Sequence, residues 1–166
     1  DGSMRTVVCT QVLEHVPRPW DALAEFYRTL KEDGYLILSV PHLSAIHEAP
    51  NDYYRYTRYG LGYLLSSRGL TIVDAIESGG LVSFLAHNLS MVLMCIPGAV
   101  PGLRRIVWAV NYLLLIRLLE PVDKLLGFAR HFPCNYVVVA RKNGVAPRDG
   151  STGAGYRATD DRQEVL

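Results

Sequence analysis

The sequence predicts an open α/β domain built in three layers, with a helical hairpin inserted before its last strand. Three observations lead there. Short, β-branched apolar runs alternate with segments of helical period, the pattern of a parallel sheet whose faces are covered by helices. Two long apolar segments flank the connector Pro97-Gly98-Ala99-Val100-Pro101-Gly102, which breaks helices and permits a reversal. A strongly β-prone run, Asn135 to Ala140, then closes the pattern. The chain has 166 residues, enough for one domain with a real core. With 49% hydrophobic and 20% charged residues and a net charge of +1, it lies outside the disordered range and shows no basic footprint for nucleic acid. Cys9, Cys95 and Cys134 are odd in number and widely spaced, so neither a disulfide framework nor a zinc knuckle is expected, and a reducing cytoplasm fits. The opening Asp1-Gly2-Ser3-Met4 has no basic or apolar region of a signal peptide and reads as a turn inside a domain.

Each element has its own warrant. Met4 to Thr10 reads as a strand buried on both faces. Trp20, Leu23, Ala24, Tyr27 and Leu30 recur at helical spacing, with Asp21 near the N-terminal dipole and Lys31 in the last turn, and Gly34 is expected to end the helix. Tyr35 to Val40 is a second apolar run stopped by Pro41, completing a βαβ unit whose strands should be parallel. His42 to Arg58 is too long for a bare connection, and its polar and aromatic content suits a functional loop. Tyr59 to Ser67 is a helix closed by Gly69, and Leu70 to Ile76 the next strand. The domain spans residues 1–142, and the Gly-, Ser- and charge-rich residues 143–166 are expected to form a disordered tail.

The hairpin insertion covers residues 81–120. Its segments, Leu81 to Ile96 and Leu103 to Leu119, have roughly 16 residues each, or about 24 Å as helices, short of a ~30 Å hydrocarbon core. His87, Asn88, Asn111 and Arg117 also interrupt the apolar surface, so a transmembrane span is not expected. Packing within the domain, a dimer interface and attachment to a membrane surface all remain open. Arg104 and Arg105 beside Trp108 and Tyr112 favour the last.

The string Val7-Val8-Cys9-Thr10-Gln11-Val12-Leu13-Glu14-His15-Val16, followed by Pro17, resembles the fourth-strand motif of class I S-adenosylmethionine-dependent methyltransferases of the type 11 kind. Ala24 to Pro41 resembles that family's helix, turn and strand, with Glu32-Asp33 where Pro-Gly is usual. Gly34 is expected to supply a positive φ at the turn. The run His47 to Thr57 is similar to a subgroup encoded with glycan- and lipid-modifying pathways. The resemblance covers residues 1–142 and implies the C-terminal half of a Rossmann-like methyltransferase fold, with S-adenosylmethionine as cofactor of the complete protein. The family's glycine-rich loop and acidic ribose partner are missing: Gly79-Gly80 precedes an apolar segment, and Gly98 sits in a Pro-rich turn. The chain alone should therefore bind the cofactor weakly or not at all.

Methyl transfer is an in-line displacement, so the protein aligns the acceptor and, for a hydroxyl, removes a proton. His15, just past the first strand's C-terminal end, is the candidate general base; the plain alternative is a helix-entry histidine bonded to backbone. By resemblance, Thr10 and Gln11 at the same edge would contact the cofactor. In related quinone-biosynthesis and small-RNA enzymes an acid three residues before the Glu-His pair helps bind a divalent metal. Here that position is Gln11, which leaves Glu14, His15 and either His42 or His47 as weak metal candidates, with local capping or pairing by Glu14 as the alternative. His42, His47, Asp52, Tyr53 and Arg55 are candidate acceptor contacts, since Tyr and Arg suit sugars and anionic head groups; alternatively Asp52 and Arg55 pair to stiffen the loop. The acceptor expected is a small molecule, a glycan or a lipid-linked molecule, with a membrane surface as a further partner and no nucleic acid. The rival reading is a non-catalytic, membrane-associated binding module derived from such an enzyme.

Overall fold

A computed structural model describes residues 1–95, 103–110, 112–113 and 120–143. In chain order the elements are β1 (Met4–Thr10), α1 (Pro19–Thr29), β2 (Leu30–Pro41), α2 (Arg58–Ser66), β3 (Leu70–Ser78), α3 (Leu81–Cys95), α4 (Leu103–Val110), α5 (Glu120–Leu126), α6 (Phe128–His131) and β4 (Asn135–Lys142). The strands form one open sheet in the order β1-β2-β4-β3. β1 and β2 are parallel, as the βαβ unit requires, whereas β4 is antiparallel to both of its neighbours, β2 and β3. The sheet is thus mixed, where the apolar runs alone suggested a parallel one. Val138 of β4 pairs with Leu38 of β2 and with Ala75 of β3, so the last strand wedges between two strands that precede it.

The core lies on one face of this sheet. Leu36, Leu38 and Val40 alternate on β2 with Tyr136, Val138 and Ala140 on β4, and meet Leu23 of α1 and Leu61 and Leu65 of α2. Leu23, Leu36, Leu38 and Leu65 are fully buried, and each such leucine contributes roughly 1.5–3 kcal/mol of transfer free energy. β1 departs from its expected burial on both faces. Cys9 points into the core, but Val8 is 64% exposed, because β1 is an edge strand with one neighbour and its outer face meets no helix among the described residues.

The turn between α1 and β2 also differs from expectation. The helix ends at Thr29 rather than near Gly34, and β2 begins at Leu30 with a register shift against β1. Asp33, not Gly34, carries the positive φ, at 61°. Gly34 is needed for space: a Cβ there would lie 2.9 Å from the Lys31 carbonyl oxygen and 3.1 Å from that of Arg5. The half-loop is held from below by Lys142, whose buried ammonium donates to the Leu30 carbonyl at 2.9 Å, pairs with Glu32 and lies 4.4 Å from the centre of the Tyr27 ring.

The apolar insertion folds as helices where it is described. α3 contacts α4 and α5, and α6 contacts α3 and β3. Residues 96–102, 111 and 114–119, including the expected reversal, lie outside the described set, as does the expected tail beyond Asn143. Asn143 itself is fixed, its N–H donating to the Gly69 carbonyl and its carbonyl accepting from the Tyr27 hydroxyl. α5 and α6 were not foreseen from sequence. They bring Asp123, which is fully buried, to the start of α3, where its carboxylate accepts from Val82 N–H at 2.8 Å and Ser83 N–H at 2.6 Å. Gly80 makes this approach possible, since a Cβ there would lie 2.5 Å from the Asp123 carboxylate.

Candidate active site

The site is assembled at the C-terminal ends of β1 and β2, where open α/β sheets place their ligands. Beyond Thr10 the chain turns sharply: Gln11 has φ 52°, its N–H donates to the Ser39 carbonyl at 3.0 Å and its side-chain amide donates to the Ser39 hydroxyl at 3.2 Å. Leu13–His15 then form a single 3-10 turn. Leu13 anchors it in the core, and the same turn draws Glu14 fully out of solvent. Both Glu14 carboxyl oxygens lack a hydrogen-bond partner, a costly state for a buried polar group. The Glu14 side chain caps no helix among the described residues; its partner is the neighbouring His15, whose Nε2 lies 3.7 Å away, which is the local pairing its sequence position allows.

The long segment after β2 folds back over this turn. Tyr53 and Tyr54 donate their N–H groups to the Glu14 carbonyl at 2.9 and 3.3 Å, and the Tyr56 hydroxyl donates to the Leu13 carbonyl at 3.0 Å. Burial pushes the Tyr56 hydroxyl well above the usual phenol range, so it remains a donor. His15 is fixed from the same side: its Nδ1 lies 2.6 Å from the Asn51 carbonyl, which can only accept, so Nδ1 donates there and Nε2 is the ring nitrogen that faces Glu14. Nε2 lies 3.7 Å from the Glu14 carboxyl. The ring of His47 stands edge-on to that of His15, with centroids 4.9 Å apart. Ligand atoms of Glu14, His15 and His47 all fall within 4.8 Å of one another.

The Asp52–Arg55 pair holds the loop. Asp52 takes a forked pair from Arg55 at 2.7 and 2.7 Å and accepts the His47 N–H at 2.9 Å. Those bonds, the Arg55 fork first, hold its carboxyl well below the usual carboxylate range. The remaining guanidinium donors go to the carbonyls of Ser44, Ala45 and Tyr54, so all five N–H groups of Arg55 are committed within its own loop. His42 sits apart from the cluster, with Nδ1 2.9 Å from the Tyr56 carbonyl and its ring against Tyr136. Tyr53 is 45% exposed, its hydroxyl donating to the Asn51 side chain. Of the sequence candidates, the structure therefore gathers Glu14, His15 and His47 at one point, puts Tyr53 at their rim, and uses Asp52 and Arg55 as the frame. Asn51 was missed by the sequence reading; no signal marks a backbone carbonyl for that task.

Comparison with known proteins agrees with this architecture. Residues 1–38 match the model of a methyltransferase domain, the segment that holds β1, the Glu14-His15 turn, α1 and most of β2. No curated protein sequence matches the chain. Among solved structures, the cyclase SpnF shares 18% identity and a TM-score of 0.53, the match covering 86% of this chain and 52% of that one. A structure described as a sarcosine dimethylglycine methyltransferase from Galdieria sulphuraria shares 12% identity and a TM-score of 0.51, covering 86% of this chain and 54% of that one. The chain thus spans about half the length of these structures, and at such identities the likeness speaks for the fold. Residues 1–38 thus resemble a methyltransferase domain, and the sheet shares the fold of these structures.

Proposed function

We propose that this chain forms the acceptor side of an S-adenosylmethionine-dependent methyltransferase acting on a small molecule, with a glycan or lipid-linked hydroxyl as the acceptor class and His15 as the base. One observation carries the reading: the Asn51 carbonyl orients His15 so that Nε2 stands 3.7 Å from a buried carboxyl at the C-terminal edge of the sheet. The cofactor supplies an electrophilic methyl group on a sulfonium. Thr10 and Gln11 are exposed next to the open side of β1 and suit one flank of its site; the glycine loop that would grip it is not among these residues. His15 Nε2 would take the proton that an acceptor hydroxyl gives up on methylation, with the Glu14 carboxyl 3.7 Å away beside the ring, and the cofactor would leave as the neutral thioether. Asp52 and Arg55 fix the loop, leaving His47 and Tyr53 to contact the acceptor.

The test uses a polypeptide in which this chain is joined to a glycine-loop half. His15→Ala lowers turnover by roughly 10² or more, the usual scale for loss of a general base, with cofactor affinity unchanged. Equal turnover of the variant and the wild type refutes the role.

The unpartnered Glu14 carboxyl favours a second reading, a divalent metal on Glu14, His15 and His47. The residues fit: both histidines have Nδ1 near a backbone carbonyl, His15 on Asn51 and His47 on Ala45, the outer hydrogen bond that orients a metal-ligating imidazole. A metal would supply Lewis acidity to an acceptor oxygen. Equilibrium dialysis against Zn2+ and Mn2+ separates the two: stoichiometric binding lost in His47→Ala supports the metal, and no binding leaves His15 as the base.

A further inference from the structure

We propose that the helices inserted between β3 and β4 dock this protein onto an anionic lipid bilayer. Three observations converge. The first is an uncovered apolar face: Leu85, Leu89 and Val92 recur at i, i+4 and i+7 on α3 and are 56%, 49% and 59% exposed, and Ile106 and Val110 of α4 are 63% and 50% exposed. α3 and α4 are in contact, so these exposed leucine, valine and isoleucine side chains lie on neighbouring helices.

The second is charge. Between Glu77 and Glu120 the sequence holds no aspartate or glutamate, and Arg105 of α4, next to Ile106, is exposed. A chain of net charge +1 has thus kept every acid away from this segment. Such a face is complementary to anionic head groups above an acyl boundary, and a neutral protein partner would not need the exclusion of acids. The third is the interfacial aromatic pair: Trp108 and Tyr112 stack with centroids 5.5 Å apart and planes 6° apart, and are 56% and 44% exposed. The face lies in the plane of a membrane rather than through it, because among the described residues no helix is long and apolar enough to cross one. The insertion follows β3, the strand at the opposite edge of the sheet from β1.

This inference does not depend on His15 or on any reaction. It deepens the proposed function in one respect, by bringing the site to a surface where lipid-linked acceptors reside.

The experiment is flotation of the full 166-residue chain with phosphatidylcholine vesicles and with vesicles containing phosphatidylserine. The protein floats with the anionic vesicles, less at high salt and little with the neutral ones. Arg105→Glu lowers the partition coefficient about fivefold or more, the equivalent of about 1 kcal/mol for each basic residue lost near the surface. Trp108→Ser weakens flotation with both kinds of vesicle, and circular dichroism confirms that each variant is folded. Protein that stays at the bottom with both vesicles overturns the proposal. So does sedimentation showing a dimer that Trp108→Ser dissociates, with no flotation, since the face would then be closed by a second copy of the chain.

Discussion

Asp123→Ala should be among the most destabilising single changes in the described fold, although the residue is remote from the reaction. Its carboxylate is fully buried and satisfies the first N–H groups of α3, at 2.8 Å to Val82 and 2.6 Å to Ser83. A helix start leaves its first amide groups without intrahelical partners, and it carries a partial positive charge. Each charge-assisted bond contributes about 1.5–3 kcal/mol, and loss of an N-cap alone costs about 0.5–2 kcal/mol. Val82 and Ser83 are half-buried, so water recovers part of the loss in the variant. The expected cost is about 2–4 kcal/mol, or a fall in Tm of roughly 6–12 °C for a domain of this size. Urea denaturation followed by circular dichroism measures it, with Asp123→Asn as the companion that keeps one acceptor and loses about half as much. A midpoint for Asp123→Ala within ~0.5 kcal/mol of the wild type would show that α5 does not clamp α3, and would refute the reasoning.

Two further perturbations follow from the fold and the loop. Gly34→Ala places a Cβ within 2.9 Å and 3.1 Å of two backbone oxygens, neither of which can swing aside, so the turn must shift at a cost of about 1–3 kcal/mol, readable in the same denaturation assay. The Asp52 carboxyl is held below its unfolded value by Arg55 and by the His47 N–H, so its contribution to stability is present above about pH 4 and is lost as pH falls below that toward the folded value. Asp52→Asn should therefore lower stability at neutral pH and flatten its decline in acid; an unchanged acid limb contradicts the assignment.

How far the sequence carries depends on the range of the interactions. β1, α1 and β2 were legible because their signals are local: a β-branched run, a helical period and the Glu14-His15 turn between them. The direction of β4 was not legible, since Asn135 to Ala140 reads the same whether it pairs parallel or antiparallel, and the insertion before it hides the topology. Burial of β1 was overestimated because an apolar run reports what a strand can bury, whereas Val8 is exposed by its place at the sheet edge. His15 was found from its position after a strand. Its partnership with His47 arises only when the segment after β2 folds back over the Glu14 carbonyl. Asp123 escaped entirely, because a cap supplied from another helix leaves no pattern of spacing.

Calorimetric titration with S-adenosylmethionine, on the chain alone and on the chain joined to a glycine-loop half, tests whether these residues serve as the acceptor half of a cofactor-dependent site. Micromolar binding by the joined protein and none by the chain are expected. Micromolar binding by the chain alone, or none by a folded joined protein, would contradict this.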